Sequence, residues 1–234
     1  GPPARNQRSG TQEYFSTDDA LPYENFNKDF GPLNLGSVVK YCRMLDQKLK
    51  TCKGALVHHC GNDYQHIANS AFLASAYLVV SQGLSPVDAW APLSRVQFTP
   101  FRDAIDGHCE YKMTILDCLQ GLEYAIGLGW FEYTTFDVET YDHYSTIEGG
   151  DLNWVVPGKF VAFTGPFDQP TDELGYPAFM PEDYVPIFKS LGVDLVVRLN
   201  RDSYDRRRFI DHGILHVDLY FPDGSCPPKE IVEK

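Results

Sequence analysis

The sequence predicts an α/β protein in two halves, and three observations carry that expectation. A strand, a loop and a long apolar helix follow one another at residues 55–82, and a β-α-β pattern recurs over residues 160–220. Between them, Phe136–Pro166 reads as a short acidic helix, a Gly149-Gly150 stop and a new strand. That is the pattern of a linker with a globular half on either side.

The elements follow in order. Residues 1–10, GPPARNQRSG, are polar with no signal-peptide core. Residues 14–34 mix aromatics with turn formers and predict a short strand and an extended arm. Ser37 is the expected N-cap of a helix that buries Val38, Tyr41, Cys42, Leu45 and Leu49 at helical spacing. Ala55–His59 reads as a central strand running into the turn Cys60-Gly-Asn-Asp, and the next helix spans about His66 to Gln82, capped by Gly83. Ser85, Pro86 and Asp88 supply an N-cap, a first-position proline and a first-turn acid for another helix. Thr114 and Asp117 open one more, with Ile115, Leu119, Leu122 and Ile126 inward and its end near Gly127.

The linker helix carries Glu139, Tyr141, Asp142 and Tyr144 on adjoining faces and is expected to run to the glycine pair. After it come a strand at Phe160–Phe163, a helix from Pro181 that Pro186 should kink or shorten, and a strand at Val193–Arg198. A basic helix at Tyr204–His212, a strand at Ile214–Tyr220 and the loop Phe221-Pro-Asp-Gly-Ser-Cys-Pro complete the series. The first residues, Gly1-Pro2, and a helix barely begun at Lys234 are read as marks of a segment cut from a longer protein.

Composition narrows the function classes. A chain of 234 residues, 43% hydrophobic and 14% aromatic, supports one large or two small cores. The net charge of −12 disfavours nucleic acid and favours a basic partner such as a Lys- or Arg-bearing peptide. No apolar run reaches the roughly 18 residues of a membrane helix, so no membrane partner is expected. Six scattered cysteines without a C-x-x-C spacing predict free thiols in a reducing, intracellular setting.

Three stretches have residue types suited to chemistry. Asp223, flanked by Pro222 and Gly224 after a strand, has the placement of a general acid aimed at a cleft, although local sequence alone favours an ordinary Asp-Gly turn. His59-Cys60 followed by His66 imitates the His-Cys-x5-Arg loop of cysteine phosphatases. The arginine that would grip phosphate bidentately is replaced by an imidazole, which leaves a structural loop or at most a weak anion site. Two histidines and a cysteine without a fourth ligand do not call for a metal, and no cofactor is expected. The third stretch, Glu139, Asp142, Glu148 and Asp151, is either a solvated acidic face or a cation-binding one.

The motifs YFS-x-D-x-x-L-x-YENF-x-x-DFGPLNL (residues 14–35), PFRDA (100–104), GDLNW-x-x-P (150–157), RLN (198–200) and DGS-x-P (223–227) occur in that order. By these the chain resembles, over nearly its whole length, the cell-division-cycle-fourteen dual-specificity phosphatases. The resemblance implies two tandem phosphatase-like α/β domains: a non-catalytic one at 11–134, a linker helix at 135–150, and an incomplete catalytic one at 151–234. It implies that Asp223 is the general acid, that His59, Cys60 and His66 occupy a degenerate phosphate loop, and that Asp142 and Asp151 receive a basic residue downstream of phosphoserine-proline. Ser145 stands where the family can have a third acid, with Glu148 as its substitute. The substrates implied are proteins phosphorylated on Ser/Thr-Pro or Tyr. The implied locations are nucleus and cytoplasm, with recruitment to centrosome, spindle or cilium.

No cysteine of the chain has an arginine six residues on, so the chain alone should be inactive. The leading expectation is the substrate-shaping N-terminal part of a phosphatase. The alternative is a non-catalytic phosphopeptide-binding or scaffold module.

Overall fold

The computed structural model describes residues 11–234 apart from 110, 173, 174 and 224. The expectations for the N-terminal decapeptide and for Gly224 therefore fall outside the described residues. The chain packs as two compact units, one ending at Val138 and the other beginning at Glu139.

In the first unit, β1 (Gln12–Phe15) pairs in parallel with β2 (Ala55–His58), Phe15 opposite His58. Helices α1 (Leu35–Thr51), α2 (Tyr64–Val80), α3 (Pro86–Trp90) and α4 (Ile115–Gly127) surround a core in which α2 touches the other three. A single 3-10 turn, Ala91–Leu93, extends α3. The strand at residues 55–58 is thus one of a pair, not the centre of a wider sheet, and it is only half-buried. The reason is its position: β1 takes one edge, and among the described residues no strand takes the other.

Helix α1 starts two residues before Ser37. Asn34 is its cap, accepting the Ser37 amide at 2.9 Å, because an Asx side chain reaches an N3 amide at least as well as a serine does. Asp63 likewise starts α2 earlier than the apolar run implied, accepting the amides of Gln65 and His66. Gly83 closes α2 in a left-handed conformation, with the Leu84 amide on the Leu78 carbonyl, as expected. Ser85 and the Thr114–Asp117 capping box start α3 and α4, also as expected. Ile126, assigned inward, is exposed: it lies in the last turn, beyond the face that buries Leu119 and Leu122.

The DFGPLNL motif is a packing device. Asp29 accepts the Tyr23 hydroxyl and the Phe26 and Asn27 amides. Phe30 is buried, and buried Asn69 donates to its carbonyl at 2.6 Å while accepting the Leu33 amide at 3.1 Å. A Cβ on Gly31 would come within 2.6 Å of Asn69 Oδ1 and closer still to Phe101, so only glycine fits between them.

The second unit opens with α5 (Val138–Tyr144), whose first residue belongs to the first unit. Strands β3 (Leu152–Val156) and β4 (Phe160–Phe163) form an antiparallel hairpin. Helix α6 (Pro181–Leu191), β5 (Leu195–Arg198), α7 (Arg207–Ile210), β6 (Leu215–Asp218) and α8 (Lys229–Val232) follow. The core joins Leu152, Tyr184, Phe188, Val196, Tyr204 and Phe209.

One strand is new in this unit, and three expectations change. The run Leu-Asn-Trp-Val-Val before Pro157-Gly158 is a strand, as its β-branched and aromatic content favours. The linker helix ends at Tyr144, not at Gly149-Gly150, and a turn separates the two, with the Thr146 amide on the His143 carbonyl. Pro186 does not shorten α6, which continues five residues past it to a left-handed Gly192. The basic helix is a single turn, Arg207–Ile210.

Strands β5 and β6 are parallel, joined through α7, with Leu195 opposite Leu215 and Arg198 opposite Asp218. Their two faces differ. One buries Val196, Arg198 and His216, while the other leaves Leu195, Val197, Leu215 and Val217 each 40–66% exposed.

Candidate functional site

The carboxyl ends of β5 and β6 hold a polar network centred on Arg198. In parallel α/β layers this is the end at which ligands bind, because the loops leaving the strands can carry chemistry without disturbing the sheet. Arg198 is 7% exposed. Its Nε donates to Asp218 Oδ1 at 2.7 Å, and its Nη1 donates to the Tyr204 carbonyl at 2.7 Å and lies 2.6 Å from Asp202 Oδ1. The guanidinium also lies 4.7 Å from the Tyr204 ring centre. Burial opposes its charge, but the hydrogen bond and charge of Asp218, with Asp202, outweigh burial and raise its pKa. A cavity of about 530 Å³ opens beside it, lined also by Asp168, Asp205 and Arg206.

His216, beneath this network, shares a 2.8 Å hydrogen bond with the Tyr204 hydroxyl through Nε2. Its buried Nδ1 lies 3.8 Å from Asp218 Oδ1. Burial holds its pKa below the ordinary value, against the pull of Asp218.

Asp223 stands on the loop that leaves β6. The Leu219 amide donates to the Arg198 carbonyl at 2.9 Å and the Phe221 amide to the Leu199 carbonyl at 3.2 Å, so the two strands stay paired beyond their regular ends. The Ser225 amide and hydroxyl then both turn back to the Pro222 carbonyl. Asp223 is exposed at the tip of this turn. Asp223 thus lies exposed five residues beyond the carboxyl end of β6.

The acidic stretch lies at the start of the second unit. Asp142 is half-buried on α5, and Glu148 is exposed in the turn after it. Asp151 is exposed with φ of 44°, a left-handed conformation that aspartate tolerates better than most residues, and its carboxylate accepts the Thr164 hydroxyl. Ser145, at the third-acid position, donates its hydroxyl to the Tyr141 carbonyl and lies 3.2 Å from Asn153 Oδ1. It ties the helix to β3 rather than facing outward alone.

In the first unit, residues 58–66 join β2 to α2. The exposed His59 is anchored by its amide on the Phe15 carbonyl, and Cys60 is half-buried. Two carboxylates of the chain fill the turn. Asp18 Oδ2 accepts the Gly61 amide at 2.8 Å, and Asp63 Oδ1 accepts the amides of Gln65 and His66 at 3.0 Å. His66 Nδ1 donates to Asp63 Oδ2 at 2.5 Å. That hydrogen bond lowers the Asp63 pKa to about 2 and raises that of His66. Three backbone donors of this loop and helix start, the Gly61, Gln65 and His66 amides, thus face the chain's own carboxylates. Among the described residues no group of three His, Cys, Asp or Glu is placed to hold a metal ion.

The sequence reading missed Arg198 and Asp18 as site-forming residues. Both had a signal: an arginine ending an apolar strand with an acid four residues on, and an acid at a fixed place in the first motif. Neither signal names its partner, because Asp218 and Gly61 are distant in the chain.

The N-terminal half of the dual specificity protein phosphatase family matches residues 3–125. Human dual specificity protein phosphatase CDC14A is 47% identical over 98% of this chain, which covers 40% of that protein. Mouse dual specificity protein phosphatase CDC14B is 41% identical over 99% of the chain, covering 49% of that protein. The tyrosine-protein phosphatase cdc-14 of Caenorhabditis elegans is 37% identical over 94% of the chain, covering 33% of its own length. The chain spans between a third and a half of these curated relatives.

Proposed function

The chain belongs to the dual-specificity protein phosphatases, and we propose on that footing that it is the substrate-shaping N-terminal part of an enzyme that hydrolyses phosphoserine- or phosphothreonine-proline, or phosphotyrosine, in proteins. On this reading residues 11–134 are a non-catalytic phosphatase-like domain, 135–150 a linker, and 151–234 the first portion of the catalytic domain. The two compact units support that division. So does the exposed apolar face of β5 and β6, since a parallel pair of this kind belongs to a sheet covered on both faces.

The observation that carries the proposal is the placement of Asp223 on a turn at the carboxyl ends of β5 and β6. There its carboxylic acid gives its proton to the oxygen that leaves phosphorus as a thiolate forms the S–P bond and the P–O bond breaks. These residues supply the acid and not the thiolate: each cysteine lacks an arginine at the sixth position after it. Asp142, Asp151 and Glu148 supply carboxylates for the Lys or Arg of a basic substrate, in line with the net charge of −12. The sites of action, by the same reading, are nucleus and cytoplasm, with recruitment to centrosome, spindle or cilium.

The test is made in the complete phosphatase. Asp142→Asn combined with Asp151→Asn lowers kcat/KM for a basic phosphopeptide and spares a small aryl phosphate. Equal losses on both substrates would assign these acids to the fold or the chemistry and end the recognition role.

A further inference from the structure

We infer that Arg198 is the positioning residue of the Asp223 loop, an inference that rests on Asp223 being the general acid. A strand-end arginine could merely balance nearby acids at the surface. Arg198 does otherwise: it is buried, and its guanidinium ties the end of β6 to the connection between β5 and α7. Nε holds Asp218, the last residue of β6, while Nη1 holds the Tyr204 carbonyl and Asp202 in the connection between β5 and α7. Its own backbone carbonyl accepts the Leu219 amide, and the next carbonyl accepts the Phe221 amide. One residue therefore fixes positions 218 and 219 directly, with 221 held by its neighbour. The acid follows two residues later on a turn closed by Ser225 and Pro222.

The geometry requires a fork. A guanidinium donates in several fixed directions in one plane, which lets it bond Asp218 on one side and Tyr204 and Asp202 on the other. A lysine ammonium reaches one of these groups at a time. Asp218 is also approached by Arg206 Nη1 at 3.5 Å and by His216 Nδ1 at 3.8 Å, so a weakened Arg198 leaves Asp218 to partners that pull it elsewhere. The departure angle of the loop then changes and the acid loses its aim, while substrate binding and the attack on phosphorus do not depend on it.

Leaving-group dependence reads this directly. In the complete phosphatase, Arg198→Lys and Asp223→Asn are each assayed with p-nitrophenyl phosphate, whose leaving group needs little protonation, and with phenyl phosphate, whose leaving group needs more. General acid catalysis contributes on the order of 10²–10⁴-fold, so Arg198→Lys is expected to lose roughly 10- to 100-fold on phenyl phosphate and under about 3-fold on p-nitrophenyl phosphate. Equal losses on the two substrates would make Arg198 a stability residue only and overturn the inference. If Asp223→Asn shows the bias and Arg198→Lys does not, the inference falls alone; if neither shows it, the role of Asp223 falls as well. Should Arg198→Lys not fold, Asp202→Asn removes one exposed tie without opening the core. A smaller loss with the same bias supports the inference, and an unbiased one overturns it.

Discussion

Asp18 Oδ2 accepts the backbone amide of Gly61 at 2.8 Å, across 43 residues of sequence. In a strand-to-helix loop such amides are the natural donors to phosphate. Here a carboxylate from the first motif occupies one of them, and its negative charge repels an entering anion. The chain is expected to show no turnover of an aryl phosphate above a buffer blank, and inorganic phosphate should leave the Gly61 amide resonance unmoved. In Asp18→Ala the amide is freed, and phosphate should then shift it. Turnover by the unaltered chain that vanishes in Cys60→Ser would contradict this account of the loop.

The histidines should titrate in opposite directions from the ordinary value of 6.5. His66 is raised by the Asp63 hydrogen bond, whereas His58 and His216 are lowered by burial. For His66, the stabilisation is full below 6.5 and is lost as pH rises through its higher folded pKa. For His58 and His216 the unfolded chain binds the proton more readily, so stability is full above 6.5 and declines as pH falls toward their lower folded values. Ring resonances followed by NMR check all three, and Asp63→Asn should return His66 toward 6.5. A His66 midpoint unchanged in that variant would remove Asp63 as the cause.

Gly149 is required by space. A Cβ there would lie 1.9 Å from the His143 carbonyl oxygen, because the chain folds back over the end of α5. Gly158 is different: its φ is +70° but nothing lies within 4 Å of its Cβ position. Gly149→Ala is expected to destabilise the second unit by about 3 kcal/mol or more, at or beyond the usual range for overpacking. Gly158→Ala should cost about 1–2 kcal/mol from backbone conformation alone. Thermal denaturation compares the two, and similar losses would mean that the turn after α5 adjusts.

Local signals made most elements legible. The Ser85 and Thr114–Asp117 caps and the left-handed Gly83 are recorded in adjacent residues, and the structure has them. The helix starts moved for two reasons: Asn34 caps α1 in place of Ser37, and Asp63 caps α2 ahead of the apolar run that marked its start. The end of α5 was misplaced because a glycine pair reads as a helix stop, whereas Gly149 meets the helix after a turn has already ended it. Strand pairing was out of reach, since β1 and β2 are joined by register across 43 residues. The same distance hid Asp18 from Gly61, while Asp218 lies 20 residues from Arg198. Asp223 was legible as a residue, but its place on the loop leaving the carboxyl ends of β5 and β6 needed the parallel pair.

On the proposed reading, Asp142 and Asp151 recognise the basic residue of a substrate independently of its phosphate. Binding of fluorescent peptides to the purified chain tests it most directly, using a phosphoserine-proline peptide with a downstream lysine, its unphosphorylated form, and a form with the lysine changed to glutamate. The first two should bind alike, binding should weaken steeply with salt, and the glutamate peptide, or the Asp142→Asn and Asp151→Asn double variant, should lose it. Binding that requires the phosphate and ignores the lysine would remove the recognition role of Asp142 and Asp151 and identify a phosphopeptide-binding module instead.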